Sequence, residues 1–414
     1  MRMMHCTKFI STLAVVMASA TCQASDFNLP ALEQLALTQS KLALAAREQL
    51  QGARFAAETA RAFPNPELEY LSGQQRTRNG TGIPGDARTM ALTQPLDVPW
   101  RRLPRVAAAD AALDVAKAVR AQAQADLLAQ VRLRYYQVLR RDAELKNAKE
   151  DALTVEGVRE RIARRVELGE APRFELIKAD AELLNAQKNV QAATFRVEQA
   201  RSQLRQLIGQ ALPADFVVRG QLREVPAVPQ LPALSQDVQR YSPELRRSQA
   251  EMQRAERVLA QEKALRYPGL ALKASVDEDP ETRVSRAGLV LTIPLWDRRS
   301  GPIGEAGAQV ARARTEYEAQ QFSLEQALHI AYQQYEIAQT QVAALESGIV
   351  RQAEAAVRIA TAAYRFGERG FLEVLDAQRV YRAARAELIQ ARHELALAWI
   401  EIERLRALPE GSEE

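Results

Sequence analysis

The second half of the chain repeats the first. With an offset of 198, Leu168-Gly169-Glu170 falls on Phe366-Gly367-Glu368, and Glu175-Leu176-Ile177 falls on Glu373-Val374-Leu375. Slightly different offsets bring Tyr136 onto Tyr332, Thr93-Gln94-Pro95-Leu96 onto Thr292-Ile293-Pro294-Leu295, and Asn65-Pro66-Glu67-Leu68 onto Tyr267-Pro268-Gly269-Leu270, so two short indels separate the halves. A unit of about 200 residues used twice buries its apolar faces the same way twice, which makes the chain one architecture of two similar halves.

The ends frame this duplication. Arg2 and Lys8 precede an apolar run from Phe9 to Ala20, followed by the small residues of Ala18-Ser19-Ala20 and Cys22-Gln23-Ala24. That layout is the one of a secretory signal, and the run of 12 residues is short of the roughly 20 that span a bilayer. Residues 1–24 are therefore expected to be removed, with lipidation at Cys22 as the alternative outcome at the same site. No later segment approaches 18 consecutive apolar residues, so any entry into a membrane would be made by strands. Both cysteines, Cys6 and Cys22, lie in the leader region, which leaves the mature chain without a disulfide or thiolate metal site. The formal charge of +4 falls to about +2 without Arg2 and Lys8, too little to argue for nucleic acid.

Each repeat reads as helix, two strands, very long helix, tight break, helix. Residues 25–211 form the first repeat, 212–235 a Pro-rich extended connector, 236–408 the second repeat, and 409–414 an acidic tail expected to be disordered. In the first repeat a helix over Ala31–Ala62 ends at Phe63-Pro64-Asn65-Pro66, strands follow at about 67–74 and 88–96, and an Ala, Gln, Glu and Arg-rich helix runs from Arg105 to Leu168. At 1.5 Å per residue that rod is about 95 Å long, which no compact core holds. The second repeat gives a helix over Gln236–Arg266, strands at about 270–276 and 284–293, a long helix over Gly304–Phe366 and a last helix over Phe371–Leu408. The narrow apolar seams of the long helices fit both a thin wall wetted on both sides and a soluble antiparallel coiled coil.

The strands separate these readings. Ala287, Leu289, Leu291 and Ile293 alternate with Arg286, Gly288, Val290 and Thr292, while Leu270, Leu272, Ala274 and Val276 alternate with Ala271, Lys273 and Ser275. One apolar and one small or polar face suits a barrel with lipid outside and water inside, or a hairpin lying on a soluble core. Four strands cannot close a barrel, so the barrel reading needs several copies, and three copies supply twelve strands. Trp100 beside Arg101-Arg102 and Trp296 beside Arg298-Arg299 sit between an outgoing strand and a long helix, where a membrane interface favours such residues and where a ring can also plug the junction.

The duplicated plan, the Pro-bounded strand pairs and the two tips resemble the TolC-type outer membrane efflux proteins over essentially the whole mature chain. Within that family, Pro64-Asn65-Pro66-Glu67-Leu68, Gln94-Pro95-Leu96, Ile293-Pro294-Leu295-Trp296-Asp297-Arg298-Arg299-Ser300-Gly301 and Phe371-Leu372-Glu373-Val374-Leu375-Asp376-Ala377-Gln378 are similar to the CzcC-type heavy-metal branch. The resemblance implies a mainly α chain with a small β part: a duplicated long-helix coiled-coil tunnel with four strands. It implies a homotrimer forming a 12-stranded barrel in the Gram-negative outer membrane and a 12-helix periplasmic barrel. It also implies docking onto a periplasmic membrane-fusion adaptor and an inner-membrane pump of the resistance-nodulation-division (RND) type, with divalent cations of the cobalt, zinc, cadmium and nickel class as cargo. A multidrug or type I secretion duct is the alternative within the fold, and a periplasmic coiled-coil scaffold the alternative outside it.

The same resemblance assigns the tips to the periplasmic entrance. Glu373 and Asp376, three apart on one helix face, would form an acid ring of six carboxylates in a trimer, a device that selects cations; the bland alternative is acids at a helix start. Lys178 stands where the second repeat has Asp376 and would partly neutralise such a ring. Tyr364, Arg369 and Glu175 match positions that latch the entrance in this family, and Leu168-Gly169-Glu170 and Phe366-Gly367-Glu368 match turns that meet the adaptor. The only histidines after the leader are His329 and His393, and the only methionines Met90 and Met252, so no clustered metal ligand set is expected. No nucleophile and base pair, phosphate loop or paired catalytic acids appear, so neither an enzyme nor a cofactor is expected.

Overall fold

The computed structural model describes residues 26–76, 80 and 82–407, so the expected signal segment, the lipidation alternative at Cys22 and the acidic tail lie outside the described residues. In chain order the elements are β1 (Asp26–Phe27), α1 (Leu29–Gln39), α2 (Lys41–Arg61), β2 (Glu67–Gln75), β3 (Gly85–Leu96), α3 (Pro99–Glu167), α4 (Arg173–Ile208) and β4 (Val217–Val218). The second half follows with α5 (Leu231–Tyr241), α6 (Pro243–Ala264), β5 (Gly269–Glu278), β6 (Arg283–Thr292), α7 (Ser300–Ala344), a π-helical turn (Leu345–Ile349), α8 (Val350–Arg365) and α9 (Phe371–Arg406). Among the described residues no helix is long and apolar enough to cross a membrane.

Two helices expected as single rods are broken at matching points. Ser40 separates α1 from α2: its hydroxyl donates to the Leu207 carbonyl at 3.0 Å and accepts from the Leu42 N–H, capping the second helix. Ser242 separates α5 from α6 because Pro243, at the first helical position, holds the preceding residue out of the helical region. Helix α5 begins at Leu231, inside the stretch expected as connector, with Pro232 in its first turn. The long helix α3 begins at Pro99 rather than Arg105, and its 69 residues reach about 100 Å. Its counterpart begins at Ser300 and carries the π-helical turn.

The four long strands form one antiparallel sheet in the order β2-β3-β5-β6, so the two hairpins, one from each repeat, join through β3 and β5. The register aligns side chains into two faces. Leu68 and Tyr70 of β2 lie opposite Leu92 and Met90 of β3, these lie opposite Ala274 and Val276 of β5, and Leu272 and Leu270 lie opposite Leu289 and Leu291 of β6. This apolar face is open: Leu68, Tyr70, Met90, Leu92, Leu272, Leu289 and Leu291 are all exposed. The other face carries Glu69, Thr89, Thr93, Lys273, Ser275, Asp277, Gly288 and Arg286, internally paired through Thr89 to Asp277 at 2.8 Å, Arg286 to Asp277 at 2.6 Å and Lys273 to Glu69 at 3.7 Å. The one polar side chain set into the apolar face near its helical end, Gln94, donates to the Pro64 and Pro95 carbonyls at 2.9 Å each.

Below the sheet, α3 packs on α2 and α6, α6 on α7, and further along α3 packs on α4 and α9 while α8 packs on α9. The main core gathers where these layers meet, around Leu127, Val131, Tyr136, Leu204, Leu328 and Trp399. The connector is fastened to it. β4 pairs in parallel with β1, Tyr135 donates its hydroxyl to the Arg219 carbonyl at 2.8 Å, and Tyr136 donates to the Glu224 carbonyl at 3.1 Å. Burial pushes the Tyr136 hydroxyl up to about 12, so it stays a neutral donor.

The two faces predict a sided response to charge. Leu289→Arg with Leu291→Arg is expected to abolish fractionation into the outer membrane, at about 2–4 kcal/mol for each arginine at mid-bilayer depth. Val290→Arg, between them on the opposite face, is expected to fractionate normally. Equal behaviour of both variants in membrane fractionation would reject the assignment of the faces.

Candidate functional site

At the end remote from the sheet the chain makes two turns that are copies of each other. Helix α3 stops at Leu168, with the Gly169 N–H donating to the Val166 carbonyl at 3.1 Å and the Glu170 N–H to the Arg165 carbonyl at 2.8 Å. Helix α8 stops at Phe366, with Gly367 donating to Tyr364 at 3.2 Å and Glu368 to Ala363 at 3.0 Å. Both are Schellman caps, and both glycines take φ of +75°, a left-handed conformation that costs a side-chain-bearing residue about 1–2 kcal/mol. The residue before each glycine projects into solvent: Leu168 is 73% and Phe366 81% exposed. Exposed apolar side chains at the apex of two rigid turns form a surface suited to a partner.

Behind the turns lies a second, smaller core of Val158, Ile162, Ala179, Phe371 and Val374. Tyr364 closes it. Its ring lies 5.9 Å from that of Phe371, its hydroxyl donates to Glu175 Oε2 at 3.1 Å, and the Arg165 guanidinium sits over the ring at 4.9 Å. Burial, followed by the Glu175 carboxylate, raises the Tyr364 hydroxyl above its ordinary value and keeps it a donor. This contact ties α8 of the second repeat to α4 of the first. An open cavity of about 370 Å³ beside it is lined by Val158, Arg161, Arg165, Tyr364 and Phe366.

The structure thus brings together two of the three expected latch residues, Tyr364 and Glu175. Arg369 goes elsewhere: it pairs with Glu373 one turn along the start of α9, and Asp376 lies 3.8 Å from Arg379. The reason lies in the duplication. Glu373 is the counterpart of Glu175, but the counterpart of Tyr364 in the first repeat is Val166, which cannot donate a hydrogen bond, so Glu373 takes its partner, Arg369, from the turn just before its own helix. The two acids of the expected ring therefore each carry a local cation. Lys178, expected to neutralise the ring from the other repeat, is instead placed over the Phe174 ring at 4.8 Å. Arg165 and Phe371 were not singled out from the sequence; Phe371 stands at the apolar first position of α9, which is the one signal that pointed to it.

At the strand-to-helix junctions, Trp100 donates its indole N–H to the Pro268 carbonyl at 3.3 Å with its ring half exposed, whereas Trp296 is 94% exposed. Among the described residues no group of three or more His, Cys, Asp and Glu is arranged to hold a metal ion. His393 is 5% exposed, with both ring nitrogens lacking a hydrogen-bond partner. Burial, with Arg140 and Arg141 against Glu144, lowers it to about 4, so it is a neutral packed imidazole.

The geometry defines a class: a chain of two like halves, with one open apolar sheet face, long helical walls, and an end built from paired turns. Residues 32–210 and 234–407 match the model of the outer membrane efflux protein family, and the chain belongs to that family. Its members are outer-membrane channels and not enzymes. The chain is similar to the cobalt-zinc-cadmium resistance protein CzcC of Cupriavidus metallidurans, with 29% identity over 82% of this chain and 80% of that one. Its fold is that of the outer-membrane channel OprN, with a TM-score of 0.78 at 20% identity over 91% of this chain and 89% of that one. It is likewise that of the outer membrane protein VceC from Vibrio cholerae, with a TM-score of 0.76 at 19% identity over 91% and 95%.

The depressed His393 gives a pH dependence with a definite sign. Below its unfolded value of about 6.5 the unfolded chain binds a proton that the folded chain refuses down to about 4, so stability falls as pH drops through that window, by about 1.4 kcal/mol per pH unit. His393→Leu is expected to flatten that part of the profile in thermal melts between pH 6.5 and 4, and an unchanged slope would count against the buried neutral imidazole.

Proposed function

We propose that this chain is the outer-membrane exit duct of a tripartite efflux complex that expels divalent heavy-metal cations of the cobalt, zinc, cadmium and nickel class. The observation that carries this reading is the 29% identity to CzcC, a cobalt-zinc-cadmium resistance protein, across 82% of the chain. Three copies close the edges of the sheet into a 12-stranded barrel and their helices into a 12-helix tunnel. The duct is passive. An inner-membrane RND-type pump supplies the energy and selects the metal, and a periplasmic adaptor seats on Leu168-Gly169-Glu170 and Phe366-Gly367-Glu368.

Opening at the tips fits the size of the links that hold them. An exposed pair such as Arg369 with Glu373 is worth roughly 0–1 kcal/mol, and the Tyr364 hydrogen bond to a carboxylate about 1.5–3 kcal/mol. Adaptor contacts on Leu168 and Phe366 can exceed such terms. Displacing Arg369 from Glu373 would also bare the carboxylates as the entrance opens, turning a neutralised collar into a cation-attracting one.

Deletion of the gene in its host, with inhibitory concentrations measured for cobalt, zinc, cadmium, nickel and copper beside hydrophobic drugs, tests the cargo. Selective metal sensitivity is expected, and sensitivity to drugs alone would move the duct to another pump. In planar bilayers, Glu373→Ala with Asp376→Ala is expected to reduce cation selectivity and Arg369→Ala to increase it. Reversal potentials identical to wild type in both variants would remove the acid collar from the mechanism.

A further inference from the structure

The junction between sheet and helices contains a contact that the first repeat makes within the chain and the second repeat leaves open. Where β3 enters α3, two arginines reach back to the end of the preceding helix: Arg102 donates to the Arg61 carbonyl at 2.8 Å and Arg105 to the Ala60 carbonyl at 3.0 Å. The two residues before Arg102 reach the other way, across to α6. Trp100 Nε1 donates to the Pro268 carbonyl at 3.3 Å, and the Arg101 guanidinium donates to the Tyr267 and Leu265 carbonyls, at 3.2 Å from Nε to the former. Leu265 caps α6, and the Tyr267 and Pro268 carbonyls follow it in the turn into β5, where Pro268 keeps the helix from continuing. Gly269 keeps the space clear, since a Cβ there would lie 2.9 Å from the Arg101 guanidinium.

The passage from β6 into α7 has the same residue types and half of the same contacts. Arg299 reaches back to Glu262 on α6, as Arg102 reaches back to α2. Trp296 and Arg298 have nothing to reach across to: the indole is almost fully exposed, and Arg298 makes no hydrogen bond or ion pair among the described residues. The strand order explains the difference. The β3–α3 junction has β5 and α6 beside it, whereas β6 and α7 form an outer edge. At the opposite edge, α2 ends in Phe63-Pro64-Asn65-Pro66 much as α6 ends in Leu265-Arg266-Tyr267-Pro268, and among the described residues the Phe63 and Asn65 carbonyls accept no hydrogen bond. Phe63 is exposed there. One edge thus holds free donors, and the other holds free acceptors of the kind that Trp100 and Arg101 satisfy.

We propose that Trp296 and Arg298 clasp the Phe63–Pro66 turn of a second copy of this chain, donating to its free carbonyls as Trp100 and Arg101 donate to those of Leu265, Tyr267 and Pro268. The inference rests on the trimeric duct proposed above and names the side chains that close it at the collar between barrel and tunnel. Around a closed ring, clasps within chains alternate with clasps between chains, so the duplication inside one copy becomes a repeat running through all three. Arg298 then has a positioning role: it fixes the splay of α7 against the neighbouring α2, and so the diameter at which the tunnel meets the barrel.

The test is a pair of cysteines, Asn65→Cys with Arg298→Cys, in the full chain purified in detergent and treated with a short bis-maleimide. Covalent dimers and trimers are expected on denaturing gels for the double variant and for neither single variant. Light scattering on the same sample separates the two ideas. A trimer that yields only monomer bands would overturn the clasp and leave the trimer standing, while a monomer by light scattering would overturn both. Arg298→Glu sets a carboxylate against the carbonyls and is expected to lower the temperature at which the trimer dissociates on semi-native gels, with Arg298→Lys falling between it and wild type. An unchanged dissociation temperature for Arg298→Glu would overturn the clasp as a source of trimer stability.

Discussion

The pairing of β3 with β5 is the contact on which the rest of the architecture depends. It joins hairpins from two repeats in a register that sets Leu92 beside Ala274 and Met90 beside Val276, so that Leu68, Tyr70, Met90 and Leu92 share one face with Leu270, Leu272, Leu289 and Leu291. A slip of one residue would carry Lys273 and Asp277 onto that face and leave the sheet with no side fit for lipid. The same register fixes where the helices begin. Once β3 and β5 lie side by side, Trp100 and Arg101 stand over the end of α6, and α3 must run down between α2 and α6.

Much of this was legible because the repeat constrains it twice. The strands were expected to within three residues at every end, since Pro66, Pro268 and Pro294 stand just outside them, Pro95 is the last residue but one of β3, and the alternation of Leu289 and Leu291 with Val290 needs no tertiary information. The helix breaks at Ser40 and Ser242 were missed for different reasons. Ser242-Pro243 carries a local signal, because proline constrains the residue before it. Ser40 carries almost none: its neighbours Gln39 and Lys41 favour helix, and the break is fixed by a hydrogen bond to Leu207, which lies 167 residues away in sequence. The candidate site was legible in its turns, where Gly169 and Gly367 mark the caps, and less so in its pairings. Tyr364 reached Glu175 as the family likeness implied, but Arg369 did not join them: it stands in the turn before α9 and pairs with Glu373 in the first turn of that helix.

The asymmetry of the repeats matters more for function than their similarity. Identical halves would give identical tips, with every contact made twice. Here Tyr364 has no counterpart able to donate a hydrogen bond, Asp376 faces Lys178 in the alignment, and only the second long helix carries a π-helical turn. Such a turn inserts an extra residue into the helical ladder and shifts the side-chain register below it by about a quarter turn, and Val166 of the unbroken α3 packs on the same small core as Tyr364 without a hydroxyl to donate. Duplication supplies the long helices of both halves, and a departure from it supplies the Tyr364–Glu175 link.

The distribution of buried side chains says which end of the duct can move. The sheet-to-helix junction and the connector are cross-braced by side chains whose loss would strand buried groups: Asp97 is 3% exposed on its side chain and held by both Arg102 and Arg105, and Tyr135 and Tyr136 pin the connector to the main core. The tips have a core of five buried apolar residues and a handful of exposed ion pairs. Local opening draws on the least buried regions, and the core that α4 and α8 share at the tips is much smaller than the main core. In the duct proposed above, a partner seated on Leu168 and Phe366 would act on this less braced end, away from the sheet and its junction with the helices.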